Sequence, residues 1–191
     1  CLVPYHFEES GQPTGFLPLS DITTNITENN IKFQLSVLNR LWHTALPRKV
    51  ILQARKIFTI LVLIDQTSAI VNLIHQDNIG DADLPLTRKG AIGEHDYNVL
   101  GSVKTGRAFS SFATWASEVK VRDFLHWQWV VQAPVLERLG EHIFLNPMCP
   151  LPLTESLTKA QGGSGLVHKC KVHPAHQTIF KVTNHPPFKL I

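Results

Sequence analysis

The residues best suited to chemistry in this 191-residue chain lie near its C-terminal end. Between Leu157 and Val172, the cluster Gly162, Gly163, Ser164 and Gly165 separates two alternating segments, which predicts a β-hairpin turn. The arm after the turn alternates Val167, Lys169 and Lys171 against His168, Cys170 and Val172. A glycine turn lets the backbone approach an anion closely, because no side chain intervenes and amide N–H groups can point at it. The chemistry on offer is therefore phosphate binding. A Walker loop needs Gly-Lys-Ser/Thr opening a helix, which is absent. A dinucleotide-binding turn needs a helix after it, and the alternation argues against one.

Other constellations are thinner. Cys170, His173 and His176 have spacings a zinc site can use, with Cys149 as a fourth ligand, but there is no second ligand pair at finger-like spacing. A strand cysteine beside a polar loop is the plainer reading. Cys149 and Cys170 have no evident base partner in the sequence, so thiol catalysis has no support. Asp77, Asp81 and Asp83 resemble part of a calcium loop, but the sixth position is Ala82 and the twelfth is Arg88. A turn rich in Asx caps fits better. Asn25-Ile26-Thr27 is a glycosylation sequon, which has meaning only in a secreted chain.

The elements that must carry this turn are mostly helical. Residues 1–24, with Pro4, Gly11, Pro13, Gly15 and Pro18, read as irregular lead-in. Asn25 or Thr27 caps a predicted helix to about His43, with Ile31, Leu35, Leu38 and Trp42 as its stripe. A second is predicted over Arg48 to Ile64, apolar nearly all round toward its end and so expected at the centre of the core. A third runs from Ala69 to about Gln76, capped by Ser68, with Ile70, Leu73 and Ile74 inward. Residues 85–106 read as a long connection, with one short strand or turn at Tyr97 to Leu100. Phe109, Phe112, Trp115, Ala116 and Val119 suggest a fourth helix. The aromatic stretch Phe124 to Val131 is read as core, with a partner-binding surface as the alternative. From about Ile143 the pattern predicts extended strands. The fold class expected is α+β, with lead-in over 1–24, a helical domain over 25–140 and an extended segment over 141–191.

Composition sets the boundaries of function. Hydrophobic residues make up 43% and charged residues 17%, enough for a core and too little charge for a disordered tail. The longest apolar run, Ile57 to Ile64, falls far short of the roughly 20 residues a membrane helix needs. No Arg/Lys cluster with interleaved aromatics supports nucleic-acid binding. Three cysteines are too few and scattered for a disulfide framework, so an intracellular setting, in the cytoplasm, is expected. The net charge is +3, yet no Asp or Glu follows Glu155, while Lys159, Lys169, Lys171, Lys181 and Lys189 do. That bias suits an anionic ligand or a solvated surface, and the second is the plainer reading. The chain opens on Cys1 and closes on the strand-like Phe188 to Ile191, so a piece of a longer protein is expected.

Gly162, Gly165 and Val167 match the second half of the Gly-x-Gly-x-x-Gly-x-Val loop with which protein kinases cover ATP phosphates, with Ala160 at the place of the first glycine. Val172-His173-Pro174-Ala175-His176-Gln177 resembles the His-Pro-x-His insertion after the second strand in a group of fungal protein-kinase-like proteins. Upstream, Ala54-Arg55-Lys56-Ile57-Phe58, Asp83-Leu84-Pro85-Leu86, Gln128 to Val135 and Leu151 to Thr154 also resemble that group, whose members carry a helical region before the kinase lobe. The likeness spans most of residues 50–191, and its kinase part covers the last 35 or so. It implies a helical region followed by the first strands of a kinase small lobe. It also implies an ATP-dependent serine/threonine kinase-like parent that uses ATP and magnesium.

Within that resemblance Gly162, Gly163, Ser164, Gly165 and Val167 would cover the phosphates, and Lys189 is the candidate for the third-strand lysine. The residues a kinase places between Phe188 and Lys189 are missing. Arg122-Asp123-Phe124 mimics parts of later kinase motifs, but it precedes the glycine turn and is read as coincidence. With no His-Arg-Asp or Asp-Phe-Gly motif after the turn, these residues are expected to be inactive alone and to bind no nucleotide tightly. The alternatives are a non-enzymatic helical module that binds a protein partner or a second copy, and a degenerate kinase remnant.

Overall fold

The computed structural model describes residues 3–4, 15–36, 45–89, 99–137, 142–162, 165–178 and 189–190. The elements in chain order are β1 (Val3–Pro4), β2 (Gly15–Phe16), α1 (Leu19–Asn25), α2 (Glu28–Gln34), α3 (Ala45–Gln53), α4 (Arg55–Leu63) and α5 (Ile70–His75). After these come β3 (Leu86–Arg88), β4 (Leu100–Ser102), β5 (Ala108–Phe109), α6 (Glu118–Trp127), β6 (Leu153–Gly162), β7 (Gly165–Val172) and β8 (Lys189–Leu190). The fold is α+β: helices gather around α4, and three small antiparallel sheets flank them in the orders β1-β2, β3-β4-β5 and β6-β7-β8.

Helix α4 holds the centre, as its sequence predicts. Ile57, Phe58, Thr59, Ile60 and Leu61 are buried in succession, with α1, α3 and α6 packed around them. Each fully buried large side chain among them contributes roughly 1.5–3 kcal/mol of transfer free energy. The aromatic stretch also turns inward: Phe124, Trp129, Val130 and Val131 are buried, so it is core rather than a partner surface.

The helix expected over Arg48 to Ile64 is instead two helices, broken at Ala54 (φ −139°, ψ 31°). The cause lies in the Asp77–Asp83 turn. Asp81 accepts the backbone N–H groups of Lys56 and Ile57, each at 3.0 Å, and so caps α4 from 25 residues along the chain. The turn fits tightly into the break. A Cβ on Gly80 would sit 3.1 Å from the carbonyl oxygen of Gln53, the last residue of α3.

The turn itself is held by its other aspartates. Asp83 accepts from Gly80 N–H at 2.9 Å, from Thr105 Oγ1 at 3.0 Å and from Arg107 Nη1 at 3.0 Å. Arg107 Nη2 donates to the carbonyls of Asp77 and Asn78 at 2.7 and 3.2 Å. Asp77 accepts from the N–H groups of Ser110 and Ser111 at 3.3 and 2.9 Å. All three carboxylates thus serve N–H and O–H donors of the chain, as in an Asx-rich turn. Gly106, at φ +72°, supplies the left-handed residue between β4 and β5 that brings Arg107 round to Asp83.

The other end of α4 is closed by a Schellman arrangement. Gln66 N–H donates to Leu61 O at 2.8 Å and Asp65 N–H to Val62 O at 3.2 Å. Asp65 takes φ 54°, where glycine is usual. Lys120 Nζ, from α6, donates to the Ile64 carbonyl at 2.5 Å.

Several other boundaries shift. The lead-in expected over 1–24 contains β2, with Phe16 fully buried, and most of α1. Thr27 does cap a helix, accepting from Asn30 N–H at 3.3 Å, but that helix ends at Gln34. Leu38 and Trp42 lie outside the described residues. Ser68 makes no side-chain cap, since a 3₁₀ turn over Thr67–Ala69 precedes α5. Ile70, Leu73 and Ile74 do point inward. The helix expected around Phe109 is a short strand and a 3₁₀ turn, Ser111–Thr114, pinned by the Asp77 contacts, and α6 starts only at Glu118. Residues 142–152 hold no strand, and the extended region begins at Leu153. Gln128, buried in the core, accepts from Leu86 N–H at 2.7 Å and donates to Leu86 O at 2.9 Å, tying the end of α6 to β3.

Two outcomes test this account. Asp81→Ala strips the cap from α4 and should cost about 1–2 kcal/mol in urea unfolding, with Asp81→Asn losing less. Asp65→Gly relieves a left-handed side-chain residue and should raise stability by about 0.5–1 kcal/mol.

Candidate functional site

Strands β6 and β7 form the predicted hairpin. Gly162 ends β6 and Gly165 opens β7, and they pair as its last register step; Gly163 and Ser164 lie outside the described residues. Ala160 is opposite Val167, and Gln161 is opposite Leu166. The register slips between Thr158 and Ala160, which marks a bulge on the approach to the turn. Strand β8 pairs with β7, Lys189 opposite Lys169 and Leu190 opposite His168. The structure thus brings Gly162 and Gly165 together at the tip. It places Lys189 four residues down β7 from Gly165, roughly 13 Å at the rise of a strand.

At the other end of the hairpin Leu153 pairs with Val172, and Glu155 and Lys171 form an exposed ion pair at 3.1 Å. Such a pair contributes little. His173 N–H then donates to Pro152 O at 2.8 Å, and a 3₁₀ turn, Pro174–His176, follows. His173 Nδ1 caps that turn by accepting from Ala175 N–H at 3.2 Å.

His176 is buried, with 3% of its surface exposed, and both ring nitrogens are engaged. Leu19 N–H, at the start of α1, donates to its Nε2 at 3.0 Å. Its Nδ1 lies 3.0 Å from the Pro134 carbonyl oxygen. An Nε2 that accepts carries no proton, so the ring is the neutral tautomer with Nδ1–H donating to Pro134. Burial lowers its pKa below the ordinary histidine value, against the favourable Pro134 carbonyl. Phe16 meets both rings edge-on, at 5.2 Å from His176 and 5.9 Å from His173. Backbone bonds complete the dock: Leu136 N–H to His176 O at 2.9 Å and Thr178 N–H to Leu136 O at 3.0 Å.

This geometry bears on the zinc alternative. His176 has no lone pair to offer without giving up Leu19. Among the described residues no three His, Cys, Asp or Glu groups stand together as metal ligands. Cys149 Sγ lies 3.0 Å from the Gln132 carbonyl, to which its S–H donates. Burial pushes its pKa up, although Lys56 and Lys104 nearby favour the thiolate. Lys56 has its own pKa lowered by burial, with Asp81 opposing. Asp81 is pushed up by burial against the N–H groups of Lys56 and Ile57. For both members of this pair desolvation outweighs attraction. The S–H bond of Cys149 to Gln132 and its burial both favour the protonated thiol.

The docking role of His176 was not visible in its spacing; the only signal was the His-Pro-x-His string itself. No family model matches the chain, and no curated protein or solved structure matches it. Among the described residues no helix is long and apolar enough to cross a membrane.

A chemical test follows from the thiol. At pH 8, Cys149 should react with iodoacetamide several-fold more slowly than a cysteine in the urea-unfolded chain, read by peptide mass spectrometry. Equal rates would show that its burial and its bond to Gln132 do not hold in solution.

Proposed function

We propose that the three-stranded sheet is the beginning of a protein-kinase-like small lobe, and that the helical body is its N-terminal companion, as in the fungal kinase-like proteins the sequence resembles. One observation carries this reading. The glycine turn joins the first two strands of an antiparallel sheet, and the third strand brings Lys189 beside the second. In that role Gly162, Gly163, Ser164 and Gly165 lend backbone N–H groups to ATP phosphates, Val167 stands under the nucleotide and Lys189 supplies a cation. The ATP and magnesium belong to the reaction of a whole kinase. Transfer there needs magnesium ligands and a base near the accepting hydroxyl. These 191 residues offer no motif for either after the turn, so they bind without transferring.

A second reading, a protein-interaction module, draws on the exposed apolar side chains Phe33 (77% exposed) and Leu52 (75%) of α2 and α3. Titration of the chain with Mg-ATP, followed by amide NMR, separates the two. A phosphate contact in open solvent is screened, so binding near about 1 mM, worth roughly 4 kcal/mol, is expected. The shifts should concentrate at the Gly162–Val167 turn and at Lys189, and Lys189→Ala should weaken them. Shifts scattered elsewhere, or none at about 10 mM nucleotide, some tenfold above that constant, would sink the kinase-like reading and leave the module.

A further inference from the structure

We propose that His176 is a pH-sensitive latch: protonating its ring releases the His173–His176 turn, and the hairpin joined to it, from the helical body. The latch stands on the two bonds that the ring makes in opposite directions. Nε2 accepts from Leu19 N–H and Nδ1–H donates to Pro134 O, so one neutral ring clips the start of α1 to the chain after α6. A proton on Nε2 would set two donors, N–H and N–H, face to face at 3.0 Å. The docked ring cannot take that proton without losing Leu19, and the site is too buried for water to replace the bond in place.

The surroundings oppose the imidazolium as well. His173 lies on the same turn, its ring 6.0 Å away, and Lys56 approaches from α4. Both repel a positive charge. Phe16 stands T-shaped to the ring at 5.2 Å, and the segment over 133–136 offers neutral side chains, with the carbonyls of Pro134 and Ala133 as the favourable groups. On the segments the ring bonds, the acidic groups are Asp21, in the first turn of α1, and Glu137, exposed beyond Leu136; on α4, Asp81 is held by the N–H groups of Lys56 and Ile57. The ring's own bonds go to Leu19 and Pro134.

The sign follows directly. The released ring titrates near the usual ~6.5, and the docked ring lower, because burial, with His173 and Lys56, outweighs the carbonyls of Pro134 and Ala133. Between these two values the released state holds more protons. Docking is therefore fully effective above about pH 6.5 and weakens as pH falls below it, by up to tenfold per pH unit until the docked ring itself titrates. The inference rests on the dock alone and does not depend on nucleotide binding.

Amide hydrogen exchange on the whole chain tests it. Three amides report the dock: Leu19, bonded to the ring, and Leu136 and Thr178, bonded across it. Corrected for intrinsic rates, their opening should increase up to about tenfold between pH 7.5 and pH 5.5, while the amides of α4 keep their protection. His176→Gln keeps a donor and an acceptor but cannot titrate, and should flatten the response. His173→Gln removes one of the smaller opposing charges and should leave most of it. Should His176→Gln fail to fold, the ring of the native protein still decides: its NMR titration must lie below 6.5 and track the opening of the three amides. Three results would overturn the latch: flat protection of these amides across the range, a response that survives His176→Gln and disappears in His173→Gln, or loss of α4 protection in parallel.

Discussion

The break between α3 and α4, capped by Asp81, is the constraint on which the rest of the structure depends. A helix running unbroken through Ala54 would carry α3 straight on from α4 and leave no gap for the Asp77–Asp83 turn. With the chain broken there, the freed N–H groups of Lys56 and Ile57 must find acceptors. Asp81 supplies both, and in doing so fixes the turn against the end of α3. Asp83, buried to 3% exposure, then needs a cation, and Arg107 brings one from the far side of the β3-β4-β5 sheet. Removing a partner of a buried charge costs more than the pair itself contributes. Each carboxylate thus commits the next segment, and α4 is closed at both ends by residues distant in sequence, Asp81 and Lys120.

This explains which parts of the fold are legible in sequence. The stripes of Ile57, Phe58 and Leu61, and of Ile70, Leu73 and Ile74, locate the core because their burial follows from periodicity within one element. The α+β class and the hairpin at Gly162–Gly165 follow from alternation and glycine in the same local way. The break at Ala54 does not. Nothing in Arg48 to Ile64 forbids a helix, and the group that favours stopping it stands 25 residues away. The same holds around Phe109, where the apolar spacing suits a helix but Asp77 claims the amides of Ser110 and Ser111. Tertiary acceptors overrode local propensity in both places.

Of the candidate site, only the turn is legible in sequence. Spacing located Gly162 and Gly165, while the neighbour of Lys189 had to come from pairing, since Lys189 and Lys169 are separated by a segment whose pattern says little. The helical and extended regions that charge and texture separate near residue 140 are also not independent. The turn that follows the hairpin returns to α1 and to Pro134 through His176. A histidine in a polar string carries no mark that it will be buried; its burial follows from Phe16, an apolar residue in a stretch that otherwise reads as lead-in.

The position of this dock along the hairpin has a mechanical consequence. It holds the base, where Leu153 pairs with Val172 and His173 bonds to Pro152. The glycine pair lies at the opposite end, seven residues from Val172 along β7, or roughly 23 Å at the rise of a strand. Between the two ends β8 pairs with β7 at His168 and Lys169, and the bulge between Thr158 and Ala160 adds a bend on the way. The dock keeps the base of the sheet registered against the helices. The base and the turn of the hairpin thus rest on different residues, His176 with Phe16 for the one and the paired Gly162 and Gly165 for the other.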